Sequence, residues 1–267
     1  MKIVVALVVL VGLGGVAEGF VGGDILFDLA TGARSAGMGG AGVALPADDA
    51  LFVNPAGLPW VEGVQLLSSY EDQFGAAQVG LLAVAVPGLA AAGTVLDAGE
   101  VGPNLLFRTA GALLGIGVRL GPLGVGARGR VLIPIAPVPG VRGAFDLAVL
   151  WRGPIHVGAL WKGVSSQAAV ATEAWPSQLA VGLALPLALG PLSLALAGDA
   201  IDVGGAPAFA VGGELGVEWL RVRAGYGPSG VTVGGAVRWG PFGVEWAVIV
   251  HPVLPPAVRV SFGVRVG

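Results

Sequence analysis

The sequence has no cysteine, little charge and only two histidines among its 267 residues. Without cysteine, neither a disulfide framework nor a thiolate metal site can form. Charged residues make up 12% of the chain, well below the roughly 25% of an ordinary soluble domain. The two histidines, His156 and His251, are too far apart in sequence to offer a metal-ligand spacing. We therefore expect no metal site and no cofactor, and the low charge favours a protein that faces lipid.

Two classes of function find no support in the residues. The formal net charge is only −3, which gives no basic surface for nucleic acid. No nucleophile, acid-base pair or ligand cluster stands out, and we interpret His156 as a lumen-lining residue and not a catalyst. We expect a protein that is not an enzyme and does not bind nucleic acid.

Long apolar runs are also few. Beyond the amino-terminal apolar run, the 48 glycines and 19 prolines are spread so evenly that the longest stretch free of both runs only from Val164 to Trp175. A membrane-spanning helix needs about 20 mostly apolar residues, and its interior tolerates glycine poorly and proline hardly at all. Only helices and closed barrels satisfy their backbone polar groups within a bilayer, so the sequence predicts a β-barrel.

The amino terminus has the pattern of an export signal. Lys2 precedes an apolar run from Ile3 to Val16, and a small-x-small cleavage site ends at Ala17. We predict a signal peptide over residues 1–17 and, after its cleavage, a location in the outer membrane of a diderm bacterium. An uncleaved anchor helix is the alternative.

From residue 64 onward, the chain alternates apolar and polar residues in segments of about ten, the pattern of a barrel wall. In the last segment, valines and Phe262 alternate with Arg259, Ser261, Gly263 and Arg265. Successive side chains on a strand point to opposite faces, so one face is suited to lipid and the other to water. We predict an all-β fold, a closed antiparallel transmembrane β-barrel, over residues 61–267. A soluble β-sandwich is the weaker alternative, because the apolar faces are too many for two layers to hide.

Turn signals divide this region into strands. Tight turns marked by Gly-Pro or Pro-Gly alternate with longer polar connections, as in outer-membrane barrels with short periplasmic turns. We count about fourteen strands, with twelve as the alternative because no glycine or proline marks a turn near Trp219. The predicted strands are 64–70, 76–86, 89–97, 108–120, 123–133, 142–151, 155–164, 177–187, 190–199, 208–218, 219–226, 230–239, 242–250 and 257–266.

The same alternation predicts which polar side chains face the lumen. They are Arg119, Arg128, Arg130, Asp146, His156, Lys162, Glu214, Glu218, Arg221, Arg223, Arg238, Glu245, Arg259 and Arg265. Two hairpins test the register: a turn at Trp219-Leu220 would place Glu218 opposite Arg221, and a turn at Gly240-Pro241 would place Trp239 opposite Phe242.

Residues 24–60 lack the alternation of a wall strand. Gly32–Ala44 is rich in glycine and alanine, two aspartates come after it, and Asn54–Leu58 reads Asn-Pro-Ala-Gly-Leu. The glycines within it satisfy G-x-G-x-x-G, the dinucleotide-binding fingerprint. That fingerprint must open a helix in a parallel α/β unit, whereas Pro46 and Pro55 would interrupt a helix that began at these glycines. We do not expect nucleotide binding.

This segment resembles the amino-terminal signature of the PorV/PorQ-like proteins, within the FadL-like superfamily of outer-membrane β-barrels. The resemblance continues in Gly213–Leu215, Arg221–Tyr226, Gly235–Arg238 and Arg259–Arg265, which are similar to the last strands of those proteins. It implies a fourteen-stranded barrel whose N-terminal segment, residues 18–60, forms a hatch in the lumen. The candidate hatch residues are Gly37, Met38, Gly39, Gly40, Asp48, Asp49, Asn54, Pro55, Ala56 and Gly57.

Residue chemistry is consistent with such a hatch. A segment that crosses a crowded lumen needs residues with little side chain for close backbone approach. Asp48 and Asp49 are acidic where the predicted wall is rich in arginine, so ion pairs between segment and wall are expected.

The resemblance implies two functions from different classes. A FadL-like protein would be a passive channel for hydrophobic or small compounds, gated by the hatch. A PorV/PorQ-like protein would be an accessory of type IX secretion that binds exported proteins at the outer membrane. The expected partners are outer-membrane lipid with either a hydrophobic small molecule or secretion-system proteins. The short connections between strands offer little docking surface, which favours the channel.

Overall fold

The computed structural model describes residues 25–29, 31–102, 105–136, 141–168 and 175–267. The predicted signal peptide, residues 1–17, and the first residues of the 18–60 segment lie outside the described residues. In the described part, no helix combines the length and the apolar character that crossing a membrane requires.

The described strands form a closed antiparallel barrel in which each strand pairs with its neighbours in sequence and β14 pairs with β1. The strands are β1 Val64–Gln73, β2 Ala77–Val86, β3 Leu89–Gly102, β4 Leu105–Leu120, β5 Leu123–Ala136, β6 Arg142–Arg152, β7 His156–Ala168, β8 Gln178–Leu189, β9 Leu192–Ile201, β10 Ala208–Gly216, β11 Leu220–Gly227, β12 Gly230–Trp239, β13 Phe242–Val250 and β14 Ala257–Val266. The predicted all-β barrel of about fourteen strands is confirmed, and the alternative of twelve strands is wrong.

The two ends of the barrel differ in their connections. The short connections 87–88, 121–122, 153–155, 190–191, 217–219 and 240–241 lie at one end, together with the start of β1 and the end of β14. We call this the turn end. At the opposite end, which we call the loop end, the connections after β3 and β11 are as short as the turns, and the longest joins Ala168 of β7 to Gln178 of β8.

The two faces of the wall differ as alternation requires. In β14, Val258 and Phe262 are each 44% exposed, whereas Arg259 and Ser261 are 3% and 1% exposed. The whole strand β6 alternates in the same way. Because the exposed face is apolar and the buried face holds the charges, the wall is built to face lipid outside and polar contacts inside.

One predicted hairpin register is confirmed and the other is wrong. Trp239 lies opposite Phe242 across the turn at 240–241. Arg221, however, lies opposite Gly216 and not Glu218, because the backbone N–H of Val217 donates to the carbonyl of Leu220 at 2.8 Å and closes a longer turn. The register is shifted by two residues, which keeps the paired side chains of β10 and β11 on their predicted faces but moves Glu218 into the turn.

The described part of the N-terminal segment contains three short α-helices and one 3-10 helix. The α-helices are α1 Ile25–Leu29, α2 Ala33–Gly37 and α3 Ala50–Val53, and the 3-10 helix is Pro55–Trp60. Helix α2 packs on β11 to β14, and the 3-10 helix packs on β3 to β6. The Asn54 carboxamide oxygen accepts from the backbone N–H of Ala56 at 3.0 Å and caps the 3-10 helix. Residues 31–60 therefore lie inside the ring of strands.

Candidate functional site

The lumen holds a network of ion pairs, several of which join the N-terminal segment to the wall. Arg34 of α2 is buried, with its Nε 3.2 Å from Oε2 of Glu214 on β10. The same carboxylate lies 2.6 Å from Nε of Arg223 and 3.7 Å from Nη1 of Arg221. Arg223 continues to Glu245, with Nη1 3.0 Å from Oε2. One buried carboxylate on the wall is therefore shared by three guanidinium groups.

At the turn end, two neighbouring aspartates have different environments. Asp48 lies 2.9 Å from Nη2 of Arg238 and 2.7 Å from Nη2 of Arg265. Asp49 is 3% exposed, and one of its carboxylate oxygens has no hydrogen-bond donor. Burial raises the pKa of the Asp49 carboxyl, and the nearby positive charge of Arg34 opposes this shift. Asp48 fixes the segment to the wall, whereas Asp49 lies beside it unpaired.

A second buried cluster lies midway along β5 and β6. Asp146 is fully buried and lies 2.7 Å from Nη2 of Arg128 and 2.8 Å from Nε of Arg130. Nη1 of Arg128 also donates to the carbonyls of Leu51 and Phe52, at 2.9 and 2.6 Å. Arg128 thus satisfies the last carbonyls of α3, which a short helix leaves without partners.

Nearer the loop end, two contacts hold the first described residues of the segment. Nζ of Lys162 lies 2.5 Å from Oδ1 of Asp28 in α1. Arg259 pairs with Glu71 on the wall and also donates to the Thr31 hydroxyl. The segment therefore begins nearer the loop end and reaches β1 at the turn end.

The turn-end mouth contains the candidate residues that have the weakest contacts. Arg119 is exposed, with its guanidinium carbon 5.2 Å from the centroid of the Trp60 ring. Arg152, which sequence reasoning did not select, lies 4.6 Å from the same ring. His156 is half-buried, and its Nδ1 has no hydrogen-bond partner among the described residues. Glu218 is exposed in the turn and does not line the lumen, so that prediction is wrong because of the longer hairpin.

Two residues that sequence reasoning did not select also position the segment. Asp199 on β9 is 4% exposed, and its Oδ2 accepts from the backbone N–H groups of Gly42 and Val43 at 2.7 and 2.9 Å. Glu71 on β1 is 1% exposed and pairs with Arg259. For Asp199 the sequence signal is an acidic residue at an inward position of the predicted strand 190–199, whereas Glu71 falls just beyond the predicted strand 64–70 because β1 extends to Gln73.

The glycine-rich stretches make close backbone contacts with the wall. Met38 is 1% exposed, and a side chain at Gly225 would overlap its backbone. Gly39 has a φ of 71° and lies against the backbone of Tyr226, where any larger residue would be excluded. Ala56 lies fully buried, and a side chain at Gly126 of β5 would overlap its backbone.

The remaining candidate hatch residues fall within the same contacts. Gly37 lies against Gly234, Gly57 against the Pro46 ring, and the Pro55 carbonyl faces Gly117. Gly40 is exposed and borders a cavity on the loop-end side of α2. The wall glycines whose missing side chains make room for the segment are Gly111, Gly115, Gly117, Gly124, Gly126, Gly158, Gly182, Gly212, Gly225 and Gly227.

Two cavities lie on opposite sides of α2. The first, about 110 Å³, opens toward the turn end and is lined by Gly32, Arg34, Gln65, Ala83 and Gly263 among others. We call it the turn-side cavity. The second, about 220 Å³, lies toward the loop end, and we call it the loop-side cavity. Its apolar lining comprises Phe27, Leu29, Val43, Phe52, Leu160, Ala180, Ile201 and Ile249.

Helix α2 separates the two cavities. Gly32 and Arg34 line the turn-side cavity, and Thr31, Ser35 and Ala36 line the loop-side cavity. In the described part of the chain, no group of three or more His, Cys, Asp or Glu side chains is arranged to hold a metal ion. The site therefore consists of two partly apolar cavities with the one-turn helix α2 between them.

Sequence comparison finds no match: no family model fits the chain, and no curated protein matches it. Solved structures match its fold. The CymD monoaromatic hydrocarbon channel has a TM-score of 0.59 at 12% identity, covering 89% of this chain and 98% of that one. The Pseudomonas putida toluene transporter TodX has a TM-score of 0.53 at 13% identity, covering 90% and 98%. The Acinetobacter baumannii outer membrane protein Omp33 has a TM-score of 0.51 at 10% identity, covering 76% and 98%. The chain therefore has the fold of an outer-membrane β-barrel.

Proposed function

We propose that this protein is a passive outer-membrane channel for small hydrophobic compounds, with the N-terminal segment as its hatch. The observation that carries the proposal is the pair of cavities within a closed barrel, both of which are lined by α2. Such a passage lets a solute cross the membrane through the barrel without contacting the lipid. The structural likeness to CymD, a monoaromatic hydrocarbon channel, and to TodX, a toluene transporter, favours the same solute class.

The loop-side cavity supports a small apolar solute. Its volume of about 220 Å³ is smaller than that of ordinary ligand pockets, which start at about 300 Å³. Phe27 and Trp175 meet edge to face nearby, with ring centroids 5.8 Å apart. The charged side chains around this cavity are largely paired with one another, as in the Arg259 pair with Glu71. A compact hydrocarbon therefore fits this cavity better than an ion or a sugar.

The orientation follows from the connections. Outer-membrane barrels place short turns in the periplasm and longer loops outside, so the loop-side cavity would receive solute from the exterior. Residues 1–17 would be removed on export, as the sequence predicts. Membership of the PorV/PorQ-like proteins stays a prediction, and no described surface specifically favours the alternative role in type IX secretion.

The test is uptake of radiolabelled toluene by Gram-negative cells that lack their own hydrocarbon channels. Expression of the chain should raise the initial rate of toluene uptake several-fold and leave uptake of a labelled sugar unchanged. Ala180→Trp, which fills the loop-side cavity, should abolish most of the gain. Leu179→Trp, on the outward face of the same strand, is the matched control. No gain in toluene uptake, or a gain in sugar uptake alone, would contradict the proposal.

A further inference from the structure

We infer that solute passes along one side of the lumen only, between α2 and the inner faces of β13, β14, β1 and β2, while Met38–Trp60 stays fixed to the opposite side. This inference rests on the proposed function, and it identifies the route of the solute and the part of the segment that moves. Its evidence is the uneven contact between the segment and the wall.

The segment fits tightly against one arc of the barrel. On β5, β7 and β11, side chains at Gly126, Gly158 and Gly225 would overlap the backbone of Ala56, Val43 and Met38. The wall therefore lacks side chains where the segment's main chain passes, and interiors packed at this density resist displacement. Buried hydrogen bonds to Asp199 and Arg128 add to this fixed side.

Apart from the ion pairs of Asp48 with Arg238 and Arg265 at the turn end, the contacts on the remaining arc are looser. Gly243 of β13 and Gly263 of β14 face inward, yet a side chain at either would meet no atom of the segment within 4 Å. Both glycines line the turn-side cavity instead, together with Leu67 of β1 and Ala83 of β2. At the turn end, open space therefore lies on this arc and not on the glycine-packed one.

The barrier on this arc is small. Ala33 and Ala36 of α2 pack against Ala247, Ile249 and Ala257 of the wall. Two hydrogen bonds join this part of the segment to β14: the backbone N–H of Ala33 donates to Oγ of Ser261 at 2.9 Å, and Arg259 donates to the hydroxyl of Thr31. Alanine contacts bury little apolar surface, so they stabilise the closed position weakly.

The flanking backbone allows α2 to move alone. Glycine lies at both ends of the helix, because Gly32 precedes it and Gly37 is its last residue. Arg34 reaches Glu214 through a long side chain, which can hold its partner while the backbone shifts. A shift of residues 31–36 away from β14 joins the two cavities, and Met38–Trp60 need not follow.

Paired cysteines test this division, because the chain contains none of its own. Ala33→Cys with Ser261→Cys joins α2 to β14, where the hydrogen bond shows that the two residues are adjacent. Leu51→Cys with Gly115→Cys joins α3 to β4, where a Cβ at residue 115 would lie 2.5 Å from Cδ1 of Leu51. Loss of free thiol shows whether each disulfide has formed, and heat-modifiable gel mobility reports whether each variant folds.

Toluene uptake then gives the answer. The α2–β14 disulfide should lower the rate at least tenfold, and reduction should restore it, whereas the α3–β4 disulfide should leave the rate unchanged. If both disulfides blocked toluene uptake, the whole segment would have to move. If neither disulfide blocked uptake, the route would lie elsewhere. If the unlinked protein gave no uptake, the proposed function would fall and the route with it.

A cavity-filling pair provides a second test that needs no disulfide. Gly263→Phe places a ring in the turn-side cavity, where the nearest atom to a new Cβ is 3.8 Å away. Gly93→Phe adds the same ring where nothing lies within 4 Å and outside the cavity lining. Uptake should fall at least tenfold in the first variant and stay unchanged in the second. Equal rates in the two folded variants would overturn the route.

Discussion

Arg34 and Glu214, 180 residues apart in sequence, form a buried ion pair between α2 and β10 with 3.2 Å between Nε and Oε2. Glu214 also neutralises Arg223, whose side chain is fully buried. Removing a single partner from such a group leaves uncompensated charge in the protein interior. The pair thus links the position of the N-terminal segment to the stability of the wall.

The change Glu214→Gln should lower the free energy of unfolding by about 3 to 5 kcal/mol, the cost of breaking a buried ion pair. Urea unfolding of the protein in lipid vesicles, followed by tryptophan fluorescence, measures the change. The matched control Glu218→Gln lies in an exposed turn, and it should change stability by less than about 0.5 kcal/mol. Similar losses of unfolding free energy in both variants would show that the Glu214 ion pair stabilises the protein no more than an exposed charge does.

Replacing glycine by alanine should lower stability at one position of β5 and leave it unchanged at another. Gly126→Ala overlaps the backbone of Ala56, and overpacking of this kind costs about 1 to 3 kcal/mol. Gly129→Ala is the control, because no atom lies within 4 Å of its missing side chain. The same unfolding assay should separate the two, and equal stability would mean that the segment does not press on the wall there.

Arginine substitutions on the outer face should follow depth in the bilayer. Val233 lies mid-strand in β12 and is 43% exposed, so Val233→Arg should cost about 2 to 4 kcal/mol. Leu120 lies next to a turn and is 62% exposed, so Leu120→Arg should cost about 0 to 1 kcal/mol. A ranking in the opposite order, measured in vesicles, would place the bilayer at a different height on the barrel.

The unpaired Asp49 gives a pH dependence with a definite sign. Its pKa is raised above the usual 3.8 in the folded protein, so its contribution to stability is present below that usual value. It is lost as pH rises through the folded pKa. Asp49→Asn imitates the protonated form, so it should match the original protein in acid and exceed it by about 1 kcal/mol at pH 7.

The control for this prediction is Asp48→Asn, which removes the contacts to Arg238 and Arg265. It should lower stability at pH 7 by up to about 1 kcal/mol, since the pair is partly exposed. If Asp49→Asn lowered stability at pH 7 as well, the attraction of Arg34 would outweigh the burial of Asp49.

The strands could be predicted from the sequence because their signal is local. Val258 to Val266 alternates with Arg259 to Arg265 over ten residues, and the predicted bounds of β12, β13 and β14 match those observed. The β10–β11 register could not be predicted, because the turn around Glu218 contains neither glycine nor proline. A two-residue error is invisible to a pattern with a period of two.

Contacts between the segment and the wall could not be predicted. Asp199 meets Gly42 across 157 residues, and no local pattern distinguishes it from any other inward acidic residue. The sequence indicates the glycines of the wall only as strand and turn residues. At Gly126 and Gly158, however, a side chain is excluded because the backbone of the segment lies beside them. Such dependence between distant positions appears only once the chain is folded.

The pairing of Val64 with Val266 closes the ring around a segment that precedes it in the chain. That segment starts near the loop end at Asp28 and leaves at the turn end after Trp60. Threading it through a finished ring would drag the Arg34 side chain past the buried Arg128 and Asp146 pair. Assembly is simpler if residues 31–60 settle on the still-open sheet and the seam between β1 and β14 forms last. In that order of assembly, a misplaced segment would keep β1 from pairing with β14, so only barrels with the segment in place would close.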